Sequence, residues 1–162
     1  MVSAFLLALL IRWLLLQAFF IPSGSMENTL LKDDRILVSK VQYYFRPPVR
    51  GEVIVFWFEE ENKHFIKRVI GLPGDRIEMI GKKLFVNNAL QYEPYVVHKD
   101  PGTDAIRDNY RPQTVPKDRF FVMGDNRDFS KDSRFWGYVK KKDIVGRAFC
   151  IYWPVPRVGA VR

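Results

Sequence analysis

The order of apolar and polar residues divides the chain into an apolar N-terminal segment and a series of short runs. From Met1 to Ile21 the only charged side chain is Arg12, and this length is close to what a helix needs to cross a bilayer. Later apolar runs are separated by Pro, Gly, Asn and Asp, and they predict regular structure at residues 35–41, 52–58, 65–71, 75–80, 82–86, 119–123 and 143–153. Short strands at this spacing are typical of a barrel or sandwich, so the sequence predicts a mainly β protein.

Three interpretations of residues 1–21 compete. A cleaved signal peptide needs small residues at its cleavage site, and Pro22 stands where such sites are poor. A buried helix of a soluble protein is rarely apolar on every face. We therefore expect an uncleaved anchor, transmembrane or membrane-associated, with Arg12 near an interface.

Residues 87–117 have a different character from the runs on either side. They are polar, contain four prolines and show no sustained period of 2 or 3.6 residues. Such a stretch indicates a long loop or insert. We expect a small insert at 87–117 between two parts of one β domain, at 22–86 and 118–162.

Composition supports a packed β domain and argues against metal chemistry. Hydrophobic residues make up 48% of the 162 residues, enough for one core, and 13 Phe and 7 Tyr favour strands. Cys150 is the only cysteine, and His64 and His98 lie far apart in the sequence. We therefore expect no internal disulfide, no zinc site and no cofactor.

The formal net charge of +8 is compatible with nucleic acid, an anionic lipid surface or simple solubility. Because the chain begins with an apolar segment, we expect its basic residues to face lipid headgroups. Membrane lipids are thus the predicted partner, and no nucleic-acid partner is expected.

Two serines, Ser23 and Ser25, follow the apolar segment in "IPSGSM". Taken alone, they are ordinary residues for a turn that ends a helix. A second stretch, "FIKRVIGLPGD" at 65–75, places Lys67 within a predicted strand, where alternation puts it on the same face as Phe65 and Val69. The simple interpretation of Lys67 is a surface lysine whose stem lies along apolar groups.

The alternative is a desolvated Lys67 amine. Lowering its pKa from about 10.4 to about 8 requires roughly 3 kcal/mol, which burial can supply. Such an amine can accept the proton of a serine hydroxyl, and Ser–Lys pairs are an alternative to Ser–His–Asp. A third stretch, "GDNRDFSKDSRFWG" at 124–137, interleaves charges with aromatic residues. It is either a solvated turn or a supported loop whose ion pairs hold other groups in place.

Together these stretches resemble the bacterial type I signal peptidases, membrane-anchored Ser/Lys proteases that remove signal peptides from exported proteins. "IPSGSM", "RGEVIVF" at 50–56, "KRVIGLPGD" at 67–75 and "GDNRDFSKDSRFWG" match four motifs of that family in order, over nearly the whole chain. The chain departs from the usual pattern at Asn28, where the family usually has Pro, at Asp33-Asp34 and at Glu52.

The resemblance implies a function for each part of the chain. The fold would be antiparallel sheets in a partly open barrel, with an anchor at 1–21 and the catalytic domain on the extracytoplasmic face of the bacterial inner membrane. Ser25 would be the nucleophile and Lys67 its general base. The Ser23 hydroxyl and the Ser25 N–H would stabilise the oxyanion, and Ser130 would hydrogen-bond and orient Lys67. Further support would come from Asp125, Arg127, Asp132 and Arg134.

By the same resemblance, the substrates would be preproteins with Ala-x-Ala cleavage sites. Shallow apolar subsites would be lined by Ile21, Met26, Leu30, Phe65 and Ile66. The apolar segments at 13–21 and 149–158 would rest against the outer leaflet.

The same sequence features are compatible with three other functions. A self-cleaving repressor-type domain uses a similar dyad, but it carries a DNA-binding module and no anchor, whereas this chain has no helix-turn-helix pattern. A related class uses His in place of Lys; however, His64 lies three residues before Lys67 and so on the opposite strand face. The chain could also be a membrane-tethered module that binds signal peptides without cleaving them.

Overall fold

The computed structural model describes residues 15–162, and strands make up most of their regular structure. These strands are β1 (Leu16–Phe20), β2 (Arg35–Ser39), β3 (Val53–Phe58), β4 (Lys63–Gly71), β5 (Arg76–Ile80), β6 (Lys83–Val86), β7 (Ala89–Leu90), β8 (Tyr110–Thr114), β9 (Arg119–Met123), β10 (Val139–Lys140), β11 (Ile144–Trp153) and β12 (Gly159–Ala160). The short helices are α1 (Gln42–Phe45) and α2 (Ser133–Trp136), with single 3₁₀ turns at Glu59–Glu61, Lys141–Asp143 and Val155–Arg157.

The strands form two antiparallel sheets. The larger has the order β1-β2-β11-β3-β4-β9-β10, with β12 also paired to β11; the smaller has the order β7-β6-β5-β8. The end strands of the larger sheet, β1 and β10, do not pair with each other within residues 15–162, so this sheet stays open. The prediction of a mainly β protein built from antiparallel sheets is confirmed.

The predicted strand positions agree with the observed ones to within two residues at each end. The pattern of burial explains why. In β2 every second residue is buried, as expected when one sheet face packs on the core. By contrast, five of the six residues of β3 are buried, because this strand lies inside the larger sheet and both of its faces are covered.

The predicted anchor helix does not extend over residues 16–20. These residues form β1, which pairs with β2 from Leu16 opposite Ser39 to Phe20 opposite Arg35. The pairing satisfies their backbone groups through a neighbouring strand rather than within a helix. The rest of the predicted anchor, residues 1–14, lies outside the described residues. No helix among residues 15–162 has the length and apolarity that crossing a membrane requires.

The boundary of the predicted insert also needs correction. The smaller sheet spans residues 76–114, so it begins with β5 rather than at residue 87. The two strands within the predicted insert, β7 and β8, flank β6 and β5. Ile77 and Met79 of β5 pack in one buried cluster with Phe121 and Met123 of β9. The smaller sheet therefore shares a core with the strand that leads into the 124–134 loop.

Candidate active site

The side chains of Ser25 and Lys67 meet, although they are 42 residues apart in the sequence. The Lys67 Nζ donates a hydrogen bond of 2.7 Å to the Ser25 Oγ. Both residues are buried, with 4% of Lys67 and 8% of Ser25 exposed. A hydroxyl and an amine therefore share a site that is almost closed to water.

Lys67 is inside because residues 67–71 of β4, which lies between β3 and β9, are buried on both faces of the sheet. The Lys67 amine lies 5.6 Å from the centre of the Phe65 ring, so these two residues share a face as the sequence predicts. His64 is exposed, and its ring contacts the rings of Phe19 and Trp57. His64 therefore lies apart from the Ser25–Lys67 pair.

Burial lowers the pKa of Lys67 to about 8, and the nearby carboxylate of Asp132 partly opposes this shift. Because burial disfavours the ammonium form, about one amine in ten is neutral at pH 7 instead of about one in several thousand. A neutral amine within hydrogen-bond distance of a serine can act as its base.

The turn that carries Ser25, the predicted nucleophile, spans residues 23–29. This nucleophile turn is held by main-chain hydrogen bonds on both sides of Ser25. The Gly24 carbonyl accepts from the Glu27 N–H at 3.1 Å, and the Ser25 carbonyl accepts from the Asn126 N–H at 3.1 Å. The Ser25 N–H has no acceptor among residues 15–162. Ser23 is exposed, one residue from Ser25. Two groups close to Ser25 in the sequence, its own N–H and the Ser23 hydroxyl, are thus candidate donors to a substrate oxygen.

Gly124 allows the 124–134 loop to pass very close to this turn. A Cβ at Gly124 would lie 2.4 Å from the Ser25 carbonyl oxygen and 2.3 Å from the Ser130 Oγ. No side chain can occupy that space without displacing the nucleophile turn. Gly124 lies within the motif at 124–137, but nothing local to residue 124 indicates this close approach.

Ser130 differs from its prediction. It is 6% exposed, and its Oγ has no hydrogen-bond partner among residues 15–162. The predicted hydrogen bond between Ser130 and Lys67 is therefore not formed in this structure; the Ser130 hydroxyl lies against Gly124 and close enough to the Asp132 carboxylate to help hold the pKa of Asp132 below its usual range.

The side chains of Asp132 and Arg134 pair with each other at the C-terminal end of the 124–134 loop. Arg134 donates to both carboxylate oxygens of Asp132, at 2.8 and 2.9 Å, and both side chains are buried. Asp132 also caps α2 and accepts from the Gly124 N–H at 3.0 Å. Burial alone would raise the pKa of Asp132, but the Arg134 guanidinium holds it below its usual range. Asp132 is thus an anion that fixes both ends of the loop.

The other two predicted supports contact partners that the sequence analysis missed. Asp125 forms a buried ion pair with Arg68, the residue after Lys67 on β4. Arg127 donates to both carboxylate oxygens of Glu93, at 2.8 and 2.6 Å. A charged residue within an apolar strand usually needs a buried partner, so Arg68 carried a signal that could have been used. Glu93 carried none, because it lies in an irregular segment.

The five predicted pocket residues fall into two groups. Ile21, Met26 and Leu30 lie in the core, with 2%, 0% and 0% of their surface exposed, so in this structure they pack behind the nucleophile turn. Phe65 and Ile66 remain partly exposed and pack against two different core clusters. Within residues 15–162, no group of three His, Cys, Asp or Glu side chains is arranged to hold a metal ion.

Comparison with known proteins identifies the family. The family model described as signal peptidase, peptidase S26, matches residues 1–153. The chain belongs to this signal peptidase family. It is 43% identical to a probable signal peptidase I-2 of Synechocystis sp., over 98% of the chain and 73% of that protein. It is also 44% identical to a signal peptidase I of Leptolyngbya laminosa, over 94% of the chain and 76% of that protein.

A solved structure supports the same assignment. The crystal structure of a signal peptidase I from Enterococcus faecalis V583 matches with a TM-score of 0.53 and 29% identity, covering 63% of this chain and 97% of that one. As a member of the S26 signal peptidase family, the chain is a serine endopeptidase.

Proposed function

We propose that the chain is a membrane-bound signal peptidase that cleaves preproteins after small-x-small sequences, with Ser25 as nucleophile and Lys67 as general base. The observation that carries the proposal is the 2.7 Å hydrogen bond between the Lys67 amine and the Ser25 hydroxyl in a buried site. An amine whose pKa is about 8 supplies the neutral base that such a serine needs.

In the first step, the neutral Lys67 amine takes the Ser25 hydroxyl proton while the Ser25 Oγ attacks the scissile carbonyl carbon. The carbonyl oxygen becomes an oxyanion, for which the Ser25 N–H and the Ser23 hydroxyl are the candidate donors. The C–N bond then breaks, and the Lys67 ammonium protonates the leaving amine. Finally, Lys67 takes a proton from water, whose oxygen attacks the acyl-enzyme, and Ser25 is regenerated.

The predicted role of Ser23 has a separate test. Ser23→Ala removes one oxyanion donor, so kcat is expected to fall about 10²- to 10³-fold with little change in KM. Melting temperature checks that the variant is folded; because Ser23 is exposed, it should be unaffected. An unchanged kcat would exclude the Ser23 hydroxyl as an oxyanion donor.

Substrate selection follows from the walls of the site. Phe65 presents partly exposed apolar surface on the face of β4 that carries Lys67, whereas Ile66 lies on the opposite face and packs with the core cluster of Met26 and Leu30. Because Met26, directly after Ser25, is fully buried in that core, we expect a small residue such as Ala or Gly before the cleaved bond.

Association with a membrane surface is supported by a row of exposed residues on the larger sheet. Phe20 of β1, Arg35 of β2 and Trp153 of β11 lie directly opposite one another across three neighbouring strands. Phe20 is 54% and Trp153 is 50% exposed. Residues directly opposite across strands share a face, so two aromatic rings flank a guanidinium at the surface. Aromatic and basic side chains are the groups that prefer the headgroup region of a bilayer.

The bilayer contact is tested with the full chain in vesicles that contain brominated lipids. The bromines should quench part of the tryptophan fluorescence of the parent, and Trp153→Phe should reduce that part, the remainder coming from Trp13 in the predicted anchor. Equal quenching in the parent and in Trp153→Phe would contradict this contact. Placement of the catalytic domain on the extracytoplasmic face is part of the same proposal.

The catalytic proposal is tested with a synthetic peptide that carries an Ala-x-Ala site. Ser25→Ala and Lys67→Ala are expected to abolish turnover while peptide binding is largely kept. Lys63→Ala is the matched control, because Lys63 lies on the same strand but is exposed and paired with Glu61.

The control should retain parental turnover. If Lys67→Ala cleaves as fast as the parent, the Ser–Lys mechanism is wrong. If the parent binds the peptide but never cleaves it, the chain is a binding module instead.

A further inference from the structure

Asn126 holds the main chain on both sides of the nucleophile. Its backbone N–H donates to the Ser25 carbonyl at 3.1 Å, and its side-chain Nδ2 donates to the Gly24 carbonyl at 3.1 Å. Nδ2 also donates to the Glu27 carboxylate at 3.2 Å. Asn126 is 2% exposed, whereas the Glu27 side chain is 36% exposed, so its contact with Glu27 is the one that water can reach.

The orientation of the Asn126 amide is determined by its partners. Both groups near Nδ2 are acceptors, so only the NH₂ end of the side chain can face them. Its Oδ1 is buried and has no hydrogen-bond partner among residues 15–162. A buried acceptor without a partner is unfavourable. The fold thus tolerates an unsatisfied oxygen while it keeps the NH₂ group on Gly24.

The Gly24 carbonyl and the Ser25 N–H belong to one peptide unit. In a trans peptide the C=O and the N–H point in opposite directions in one plane. A donor that holds the Gly24 oxygen therefore orients the Ser25 N–H away from Asn126. The second contact, to the Ser25 carbonyl, holds the next peptide plane, and two fixed planes together set the backbone dihedrals of Ser25.

From these contacts we propose that Asn126 is a positioning residue for the oxyanion site, acting through the Gly24–Ser25 peptide. This inference rests on the proposed function and goes beyond it, because Asn126 itself touches no reacting atom. A hydrogen bond to the carbonyl of a peptide also polarises its N–H, so the Asn126 side chain strengthens as well as aims this donor.

The segment at residues 93–97, which lies between β7 and β8, holds Asn126 in place. Val97 forms a parallel bridge to Asn126: its N–H donates to the Asp125 carbonyl at 2.9 Å, and its carbonyl accepts from the Arg127 N–H at 3.1 Å. The buried Glu93–Arg127 ion pair lies beside this bridge. Asn126 is therefore fixed between the 93–97 segment and the nucleophile turn, and this rigidity is what a positioning residue requires.

The test compares Asn126→Ala and Asn126→Asp with the parent, using the full chain in detergent micelles and an Ala-x-Ala peptide. Alanine removes the donor, and aspartate keeps the shape but replaces the donor with an acceptor. The expected result is a fall in kcat of about 10- to 100-fold with KM within about twofold. This is less than the loss of a direct donor, because the Glu27 N–H still holds the Gly24 carbonyl.

Two further readouts separate positioning from general disorder. A peptide aldehyde forms a tetrahedral adduct with Ser25, so its affinity should fall by the same factor as kcat. A peptide with a reduced CH₂–NH bond has no carbonyl at that position, so its affinity should be unchanged. In Asn126→Ala, which adds no charge near Lys67, the pH midpoint of kcat/KM should also be unchanged, because Lys67 sets it.

Asn28→Gly is the control variant. Asn28 lies in the same turn and bonds the Tyr95 carbonyl at 3.3 Å, and its φ of 87° is one that glycine adopts freely. Its kcat should stay within about twofold of the parent.

Any of three results would overturn the inference. These are a parental kcat in a folded Asn126 variant, equal weakening of both inhibitors, or a shifted pH midpoint of kcat/KM in Asn126→Ala. If Ser25→Ala is inactive while the Asn126 variants keep parental kcat, only this inference fails. If Ser25→Ala still cleaves, the proposed function itself fails.

Discussion

Arg68 and Asp125 form a buried, two-pronged ion pair behind the Ser25–Lys67 site. Arg68 donates to the two carboxylate oxygens at 2.8 and 2.6 Å, and 2% and 1% of the two side chains are exposed. The Thr29 hydroxyl donates to the same carboxylate at 2.5 Å, and the Arg68 guanidinium lies 4.0 Å from the centre of the Tyr95 ring. The pair thus joins β4, the nucleophile turn and the 124–134 loop.

Breaking this pair should destabilise the whole domain. Arg68→Met leaves the Asp125 carboxylate buried without its cation, so the free energy of unfolding should fall by about 3–5 kcal/mol. Chemical denaturation measures this free energy of unfolding. In a double variant with Asp125→Asn the loss should be smaller than the sum of the two single losses, because the unpaired charge is gone. Additive losses would show that the two residues do not interact.

The pH dependence of turnover should report Lys67. Because burial lowers the pKa of Lys67 to about 8 and only the neutral amine is a base, kcat/KM should rise with pH and level off above about 8. Below that value it should fall about tenfold per pH unit. A profile that is flat from pH 6 to 9 would argue against a lysine base.

Lys67 should also lower stability at neutral pH. Its pKa is about 8 in the folded state and 10.5 in the unfolded chain, so between these values only the folded state has lost the proton. Stability therefore rises with pH through this window, by up to about 3 kcal/mol, and the full burial penalty is present below pH 8. Lys67→Met should be inactive but more stable than the parent at pH 7.

That advantage should shrink as the pH approaches 10.5. Thermal melting of both proteins at pH 7 and pH 10 measures the difference. A Lys67→Met variant that is less stable than the parent at pH 7 would mean that the hydrogen bond to Ser25 outweighs the burial penalty.

Gly124→Ala should disrupt the site and the fold together. The new methyl group would overlap the Ser25 carbonyl and the Ser130 hydroxyl, which lie 2.4 and 2.3 Å from its position. We expect loss of about 1–3 kcal/mol of stability together with loss of most turnover. Gly159→Ala is the control, since the nearest atom to its new methyl group is 3.9 Å away. Parental turnover in Gly124→Ala would contradict the close approach.

Some features of the site could be predicted from neighbouring residues alone, and others could not. Alternation along β4 predicted that Lys67 shares a face with Phe65, whereas its burial arises because both faces of residues 67–71 are covered. The role of Gly124 could not be predicted in this way, because the atoms it approaches belong to Ser25 and Ser130. The predicted contact of Ser130 with Lys67 failed for the same reason, since a hydroxyl's direction depends on everything packed around it.

The sequence by itself determined β2 to β6, β9 and β11, because these strands are apolar runs bounded by turn residues and side chains alternate along a strand. Only the tertiary structure decided which strands are neighbours. Residues 16–20 are apolar enough for an anchor, yet they form β1 because β2 offers its edge to pair with. Ser25 meets Lys67, and Asn126 meets Gly24, through contacts between segments distant in the chain. Such contacts depend on how the two sheets pack, and no local pattern of residues encodes them.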